Sequence, residues 1–269
     1  MLNVRKIVKK DQFIALCADS KEEGESLLGV VKWLSDRLKK GVIVFTCSED
    51  GKEWVGSLGH PYAALKGSWA DAVEAMPTAF NVVLAVAAFS PHAPRKSMGN
   101  PRQLLENFKE SKVAYLAVPA EGTSWGEGIT HPKVALTLDH QRKSKEKLLW
   151  ASYMARFCGG EIDVYHLAYR DADFRRRLEN NIKYLDKVFG SLGIGYRLHA
   201  LEGGNQYGHP DRQTVKDVEY DLFISLVEGQ RDRDLLDVLL PSESLRLLRT
   251  TEKPILFLNQ RDDLYVMCD

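Results

Sequence analysis

The chain has 269 residues, 44% of them hydrophobic, and 37 Lys and Arg balance 37 Asp and Glu. That is roughly two domains' worth at about 100–200 residues each, with ample apolar material for real cores. The zero formal charge excludes a global field favouring nucleic acid or an anionic membrane, leaving room only for local patches. Cys17, Cys47, Cys158 and Cys268 are scattered without a C-x-x-C pair, which argues for a reducing cytoplasm and against zinc. The N-terminal MLNVRKIVKKDQF has no leader pattern, and no stretch approaches the roughly 18 unbroken apolar residues of a membrane span, so a soluble, unexported protein is expected.

In chain order, FIALCADS (13–20) reads as a buried strand ending on Asp19. A helix follows, with apolar residues at Leu27, Val31, Leu34 and Leu38, the spacing of one buried face. VIVFTC is the next strand. The stretch GKEWVGSLGHPYAALKGSWADAVEAM, with its glycines and proline, predicts a loop, one strand and one helix. NVVLAVAAF (81–89), a loop, a short helix and KVAYLAV (112–118) complete the first half. AEGTSWGEGITHP (120–132), rich in Gly and polar residues, reads as a linker.

At residue 133 the pattern starts again. KVALTLDH (133–140) lies over FIALCADS with Asp139 on Asp19, and the match continues ungapped for about 25 residues more, placing Leu148 on Leu28, Tyr153 on Trp33 and Tyr165 on Phe45. The second helix repeats the buried face with Leu148, Ala151, Met154 and Cys158, and IDVYHL follows as a strand. A long helix is predicted from Phe174, Leu178, Ile182, Leu185, Val188 and Leu192, with Arg175, Arg176 and Arg177 on its solvent side. GYRLHAL, a short helix around 211–219, DLFISLVEG (221–229) and KPILFL (253–258) close the copy. Alternating strands and helices, with strands apolar on both faces, predict a mostly parallel sheet wrapped by helices in each copy.

The second copy resembles the universal stress proteins. The likeness rests on VALTLDH with its helix and on PSESLRLLRTTEKPILFL, where Pro241 and Ser242 stand in the Gly-Ser place that opens a helix, Leu248 and Arg249 in the LR place, and Pro254 to Leu258 in the last strand. It covers nearly all of residues 133–260 and, by the repeat, extends more weakly to 11–119. The resemblance implies two tandem universal-stress-protein-like domains of the adenine nucleotide alpha hydrolase-like type, at 1–125 and 126–269. Each would be a five-stranded α/β sheet, the first copy degenerate and the pair imitating a dimer.

In ATP-binding members the resemblance implies an Asp at the first strand's end near the adenine, here Asp139, and a G-x2-G-x9-G-S/T loop around the phosphates. Glycines allow close backbone approach there, and free N–H groups at a helix start face the anion. Here the glycine places fall on Glu228, Arg231 and Pro241, and Pro241 supplies no N–H. Across 228–243, Glu228, Asp232, Asp234, Asp237 and Glu243 outnumber Arg231 and Arg233. Little or no cofactor is therefore expected: ATP or AMP at most weakly, through Asp139, Arg231 and Ser242. The first copy's loop, AFSPHAPRKSMGNPRQ, offers Arg95, Lys96 and Ser97 beside His92 as a small-anion site, or else an exposed turn ahead of an Asn100 N-cap and Pro101.

Asp19 and Asp139 read equally as helix caps. His140 suggests acid–base chemistry less than a hydrogen-bonded surface residue, and GGNQYGHPD (203–211) a turn more than a ligand loop. The sequence holds no P-loop, GxGxxG, HExxH or GxSxG. The expected function is a non-catalytic stress-response protein acting through protein contacts or a weakly held small ligand, with protein partners, self-association, no nucleic acid and no membrane. The alternative is an adenine-nucleotide switch or slow nucleotide hydrolase. The apolar tail QRDDLYVMCD (260–269) is expected to dock.

Overall fold

The computed structural model describes residues 11–57, 62–64, 67–121, 125, 128–140, 145–201, 210–227 and 242–259. Arg231, Pro241, the rest of the 228–241 loop and the 260–269 tail lie outside these residues, as does most of GGNQYGHPD. The chain divides into two compact units, Met1–Ile129 and Thr130–Asp269.

The first unit runs β1 (Phe13–Cys17), α1 (Lys21–Leu38), β2 (Gly41–Thr46), α2 (Glu49–Ser57), β3 (Tyr62–Ala64), α3 (Trp69–Ala79), β4 (Val82–Phe89), α4 (Pro101–Phe108) and β5 (Ala114–Pro119). The second runs β6 (Lys133–Leu138), α5 (Lys145–Cys158), β7 (Glu161–Leu167), α6 (Ala172–Ser191), β8 (Tyr196–Leu201), α7 (Pro210–Asp217), β9 (Leu222–Leu226), α8 (Glu243–Thr250) and β10 (Ile255–Leu258). Strand order is β3-β2-β1-β4-β5 in one unit and β8-β7-β6-β9-β10 in the other, the same topology. Every pairing within a unit is parallel. Each is the helix-flanked parallel sheet that the apolar strands predict, because parallel connections lay helices on the sheet faces.

Local sequence explains the elements. Ser20 caps α1 by accepting from the Glu23 backbone N–H at 3.2 Å, and Leu27, Val30, Val31 and Leu34 form its buried stripe. Burial of each such side chain is worth about 1.5–3 kcal/mol. Asn100 caps α4, its Oδ1 accepting from the N–H groups of Arg102 and Gln103 at 3.1 and 3.4 Å, with Pro101 as the first helical residue. Asp171 caps α6 in the same way.

Two expectations are corrected. The region after β2 holds two helices rather than one: α2 forms because Ser48 Oγ accepts from the Gly51 N–H at 2.9 Å and Trp54 and Val55 are buried. Leu192 is 41% exposed at the C-cap of α6 rather than part of the buried stripe, which Leu178, Leu185 and Phe189 supply.

In each unit the chain moves outward from its first strand and then returns to that strand's other side. The reversal lies between β1 and β4, and between β6 and β9. Open α/β sheets bind ligands in the crevice outside the strand ends at such a point.

Candidate functional site

At the β6–β9 reversal, buried polar side chains converge on one carboxylate. Thr137 and Ser225 follow the last paired residues, Leu136 and Ile224, and are 0% and 1% exposed. A buried hydroxyl needs a partner. Both find Asp211, in the first turn of α7: the Thr137 hydroxyl donates to Oδ1 and the Ser225 hydroxyl to Oδ2. Lys147, in the first turns of α5, is the fourth member. Its Nζ donates to the Thr137 carbonyl and Oγ1, both at 3.0 Å, and stands 3.8 Å from Asp211 Oδ1. The Lys147 side chain is 5% exposed and that of Asp211 16%, so the carboxylate is the more open side of the cluster.

A second carboxylate sits where α8 begins. Ser242 is the N-cap, its Oγ accepting from the Leu245 N–H at 3.2 Å. Glu243, the next residue, is buried and held by Arg212 of α7, whose Nε and Nη2 donate to its two oxygens at 2.8 and 2.5 Å. Helix N-termini favour negative charge, and here the chain places a carboxylate already paired with Arg212.

Asp139 ends β6 half-buried. Its carbonyl accepts from Asn181 Nδ2 at 2.8 Å. Burial, with the Asp139 charge second, pushes the Tyr169 hydroxyl up to about 12. His140 is half-buried rather than fully on the surface. It stacks on Phe174 at 4.1 Å between ring centres and meets Tyr169 edge-on at 5.1 Å, and its buried Nδ1 finds no hydrogen-bond partner among the described residues. Asp139 and Ser242 thus stand at the end of β6 and the start of α8 respectively, and Arg231 lies outside the described residues.

The first unit fills the corresponding place differently. Asp19 does not cap α1, because Ser20 does; the Asp19 carboxylate Oδ2 instead accepts from the Trp69 indole N–H at 2.8 Å. Its Oδ1 is buried and finds no hydrogen-bond partner among the described residues. Glu23 Oε2 takes the Asp19 backbone N–H at 2.8 Å, and burial followed by the nearby Asp19 charge raises the Glu23 carboxyl. Burial first, and then Asp19 and Asp71, push the Cys47 thiol up to about 12, so it is a poor nucleophile.

Arg95 and Lys96 are exposed on the loop before α4, and Ser97 Oγ donates to the Pro94 carbonyl at 2.8 Å. The loop is laced by its own bonds, including Asn100 Nδ2 to the Ala93 carbonyl at 3.0 Å. Among the described residues no group of three or more His, Cys, Asp or Glu side chains could hold a metal ion, and no helix is long and apolar enough to cross a membrane.

Sequence reasoning passed over Thr137, Lys147, Asp211, Ser225 and Trp69. The available signal was two hydroxyls interrupting the apolar runs VALTL and LFISL.

No family model and no curated protein matches the sequence. Solved structures do. A universal stress protein from Archaeoglobus fulgidus DSM 4304 is similar with a TM-score of 0.64 at 14% identity, over 93% of this chain and 97% of that one. A putative universal stress protein from Pseudomonas aeruginosa UCBPP-PA14 gives 0.60 at 14%, over 95% of each. The cytoplasmic domain of a prokaryotic cation chloride cotransporter gives 0.62 at 12%, over 96% of this chain and 100% of that one. The fold is that of the universal stress proteins, and it also serves in part of a transporter.

Proposed function

We propose that the chain is a tandem member of the universal stress protein family that works without catalysis, through protein contacts or a weakly held small ligand. The observation that carries this is the pair of internal carboxylates in the second unit. Glu243, paired with Arg212, occupies the first turn of α8, and Asp211 takes up the Thr137 and Ser225 hydroxyls at the β6–β9 reversal. A triphosphate would find the hydroxyls and cations it needs already held by the chain's own carboxylates. In the first unit the Trp69 indole already covers Asp19. On this reading the protein acts in a reducing, cytoplasmic setting, with other proteins or with copies of itself.

The second reading, an adenine-nucleotide switch or slow hydrolase using Asp139, Ser242 and Arg231, draws support from one feature. Asp139 lies beside the ring group of His140, Tyr169 and Phe174, where a flat base has aromatic neighbours. Fold alone does not decide between the two.

Denaturing freshly purified protein and chromatographing the released small molecules separates them. The first reading predicts no stoichiometric adenine nucleotide; about one equivalent per chain would establish the second.

A further inference from the structure

The two units carry an internal control on the polar cluster. The ungapped alignment of 13–20 with 133–140 places Cys17 on Thr137, and the same offset places Leu27 on Lys147. In the strand register, Cys17 pairs with Ala87, and Thr137 and Ser225 are the residues that follow the last β6–β9 pair, Leu136 and Ile224. Cys17, Leu27 and Ala87 are all buried. One topology is therefore built with a thiol, a methyl and an isobutyl group in one unit, and with two hydroxyls and an ammonium in the other. The fold does not need the polar version. Nor is it the cheaper one, since a buried ion pair replaced by well-packed apolar groups often leaves stability unchanged or higher.

We propose that Thr137, Ser225 and Lys147 form a binding site for a small oxyanion of the phosphate type, and that Asp211 is its removable stopper. The proposal rests on the reading of this unit as one that holds a small ligand weakly, and it supplies that ligand's class. Two hydroxyls and an ammonium are donors, and they converge on the oxygens of one anionic group. A tetrahedral oxyanion presents the same kind of acceptor. The carboxylate comes from the first turn of α7 and has the larger solvent contact, 16% against 5% for Lys147, so it can leave without disturbing the strands. Lys147 has two of its three protons committed to Thr137, and the carboxylate stands at 3.8 Å, outside hydrogen-bond range. An oxyanion seated closer would take the third.

The test is titration calorimetry of inorganic phosphate, at constant ionic strength, into the full chain and its variants. Asp211→Ala should bind phosphate about tenfold or more tightly than the wild type, and Asp211→Ala with Lys147→Met should lose the gain. Asp211→Asn, which still fills the space, should behave as the wild type. Should Asp211→Ala fold poorly, phosphate should raise its melting temperature more than it raises that of the wild type, chloride at matched ionic strength serving as the control. Equal phosphate affinity in wild type and Asp211→Ala, a gain that survives Lys147→Met, or a melting shift no larger than the wild type's would overturn the proposal. These outcomes are read on variants with inorganic phosphate. The nucleotide content of the wild type, which tests the functional reading, is a separate result.

Discussion

The Trp69 indole N–H donates to Asp19 Oδ2 at 2.8 Å, joining the start of α3 to the end of β1 across 50 residues. The other oxygen of that carboxylate is buried and finds no hydrogen-bond partner among the described residues. Trp69→Phe keeps most of the ring volume and removes the indole N–H, so Asp19 Oδ2 loses that donor as well. An orphaned buried acceptor costs about 1–3 kcal/mol, more when charged. Urea denaturation should register a loss of that size, and the same substitution in an Asp19→Ala background should cost markedly less. Equal costs in both backgrounds would mean the hydrogen bond contributes nothing.

Gly24 lies in α1 under the Trp54 ring, and a Cβ there would stand 1.8 Å from Trp54 Cη2. Helix propensity favours Ala over Gly by about 1 kcal/mol, whereas overpacking a filled site costs about 1–3 kcal/mol, occasionally more. With an overlap this severe the second effect wins. Gly24→Ala should lower the unfolding free energy, and in a Trp54→Ala background the sign should reverse, because the obstacle is gone and the propensity gain remains.

On β7, Asp163 receives Arg197 Nε and Nη2, both at 2.7 Å, while His199 Nε2 lies 2.6 Å away. The Arg197 guanidinium holds the Asp163 carboxyl below the usual carboxylate range against the opposing effect of burial, and His199 adds to the lowering. A depressed folded-state pKa gives stability that is present above the unfolded value of about 3.9 and lost as pH falls through the folded value. Arg197→Met should therefore destabilise the protein at pH 7. The gap between variant and wild type should hold down to about pH 5 and narrow below about pH 4. A gap constant down to pH 2 would show that packing of the arginine stem, not the charge pair, is responsible.

The architecture was largely legible because it rests on short-range regularities. Apolar runs mark strands covered on both faces, and the ungapped match of 13–20 with 133–140 announces two equivalent units. Helix α2 escaped because Gly51 and Gly56 lower helix propensity, while the burial of Trp54 and Val55 that supports it comes from tertiary packing. The polar cluster escaped for another reason. Thr137 meets Asp211 across 74 residues, and nothing local in the sequence of α7 says that its first carboxylate faces inward. The strand end before Asp139 and the helix start at Ser242 were legible from the local pattern, but the Arg212–Glu243 bridge arises only once α7 packs on α8.

On the proposed reading, the donors that a nucleotide's phosphates would need are already held by the chain's own carboxylates, Asp211 and Glu243. Titration calorimetry with ATP and magnesium on the wild-type chain tests it most directly. Each lost charge-assisted bond costs on the order of 1.5–3 kcal/mol, so two lost contacts weaken binding by over about a hundredfold. The expected result is a dissociation constant weaker than about 100 μM, or no measurable heat. Micromolar binding that disappears in Asp139→Ala would contradict the account and establish the second unit as a nucleotide site.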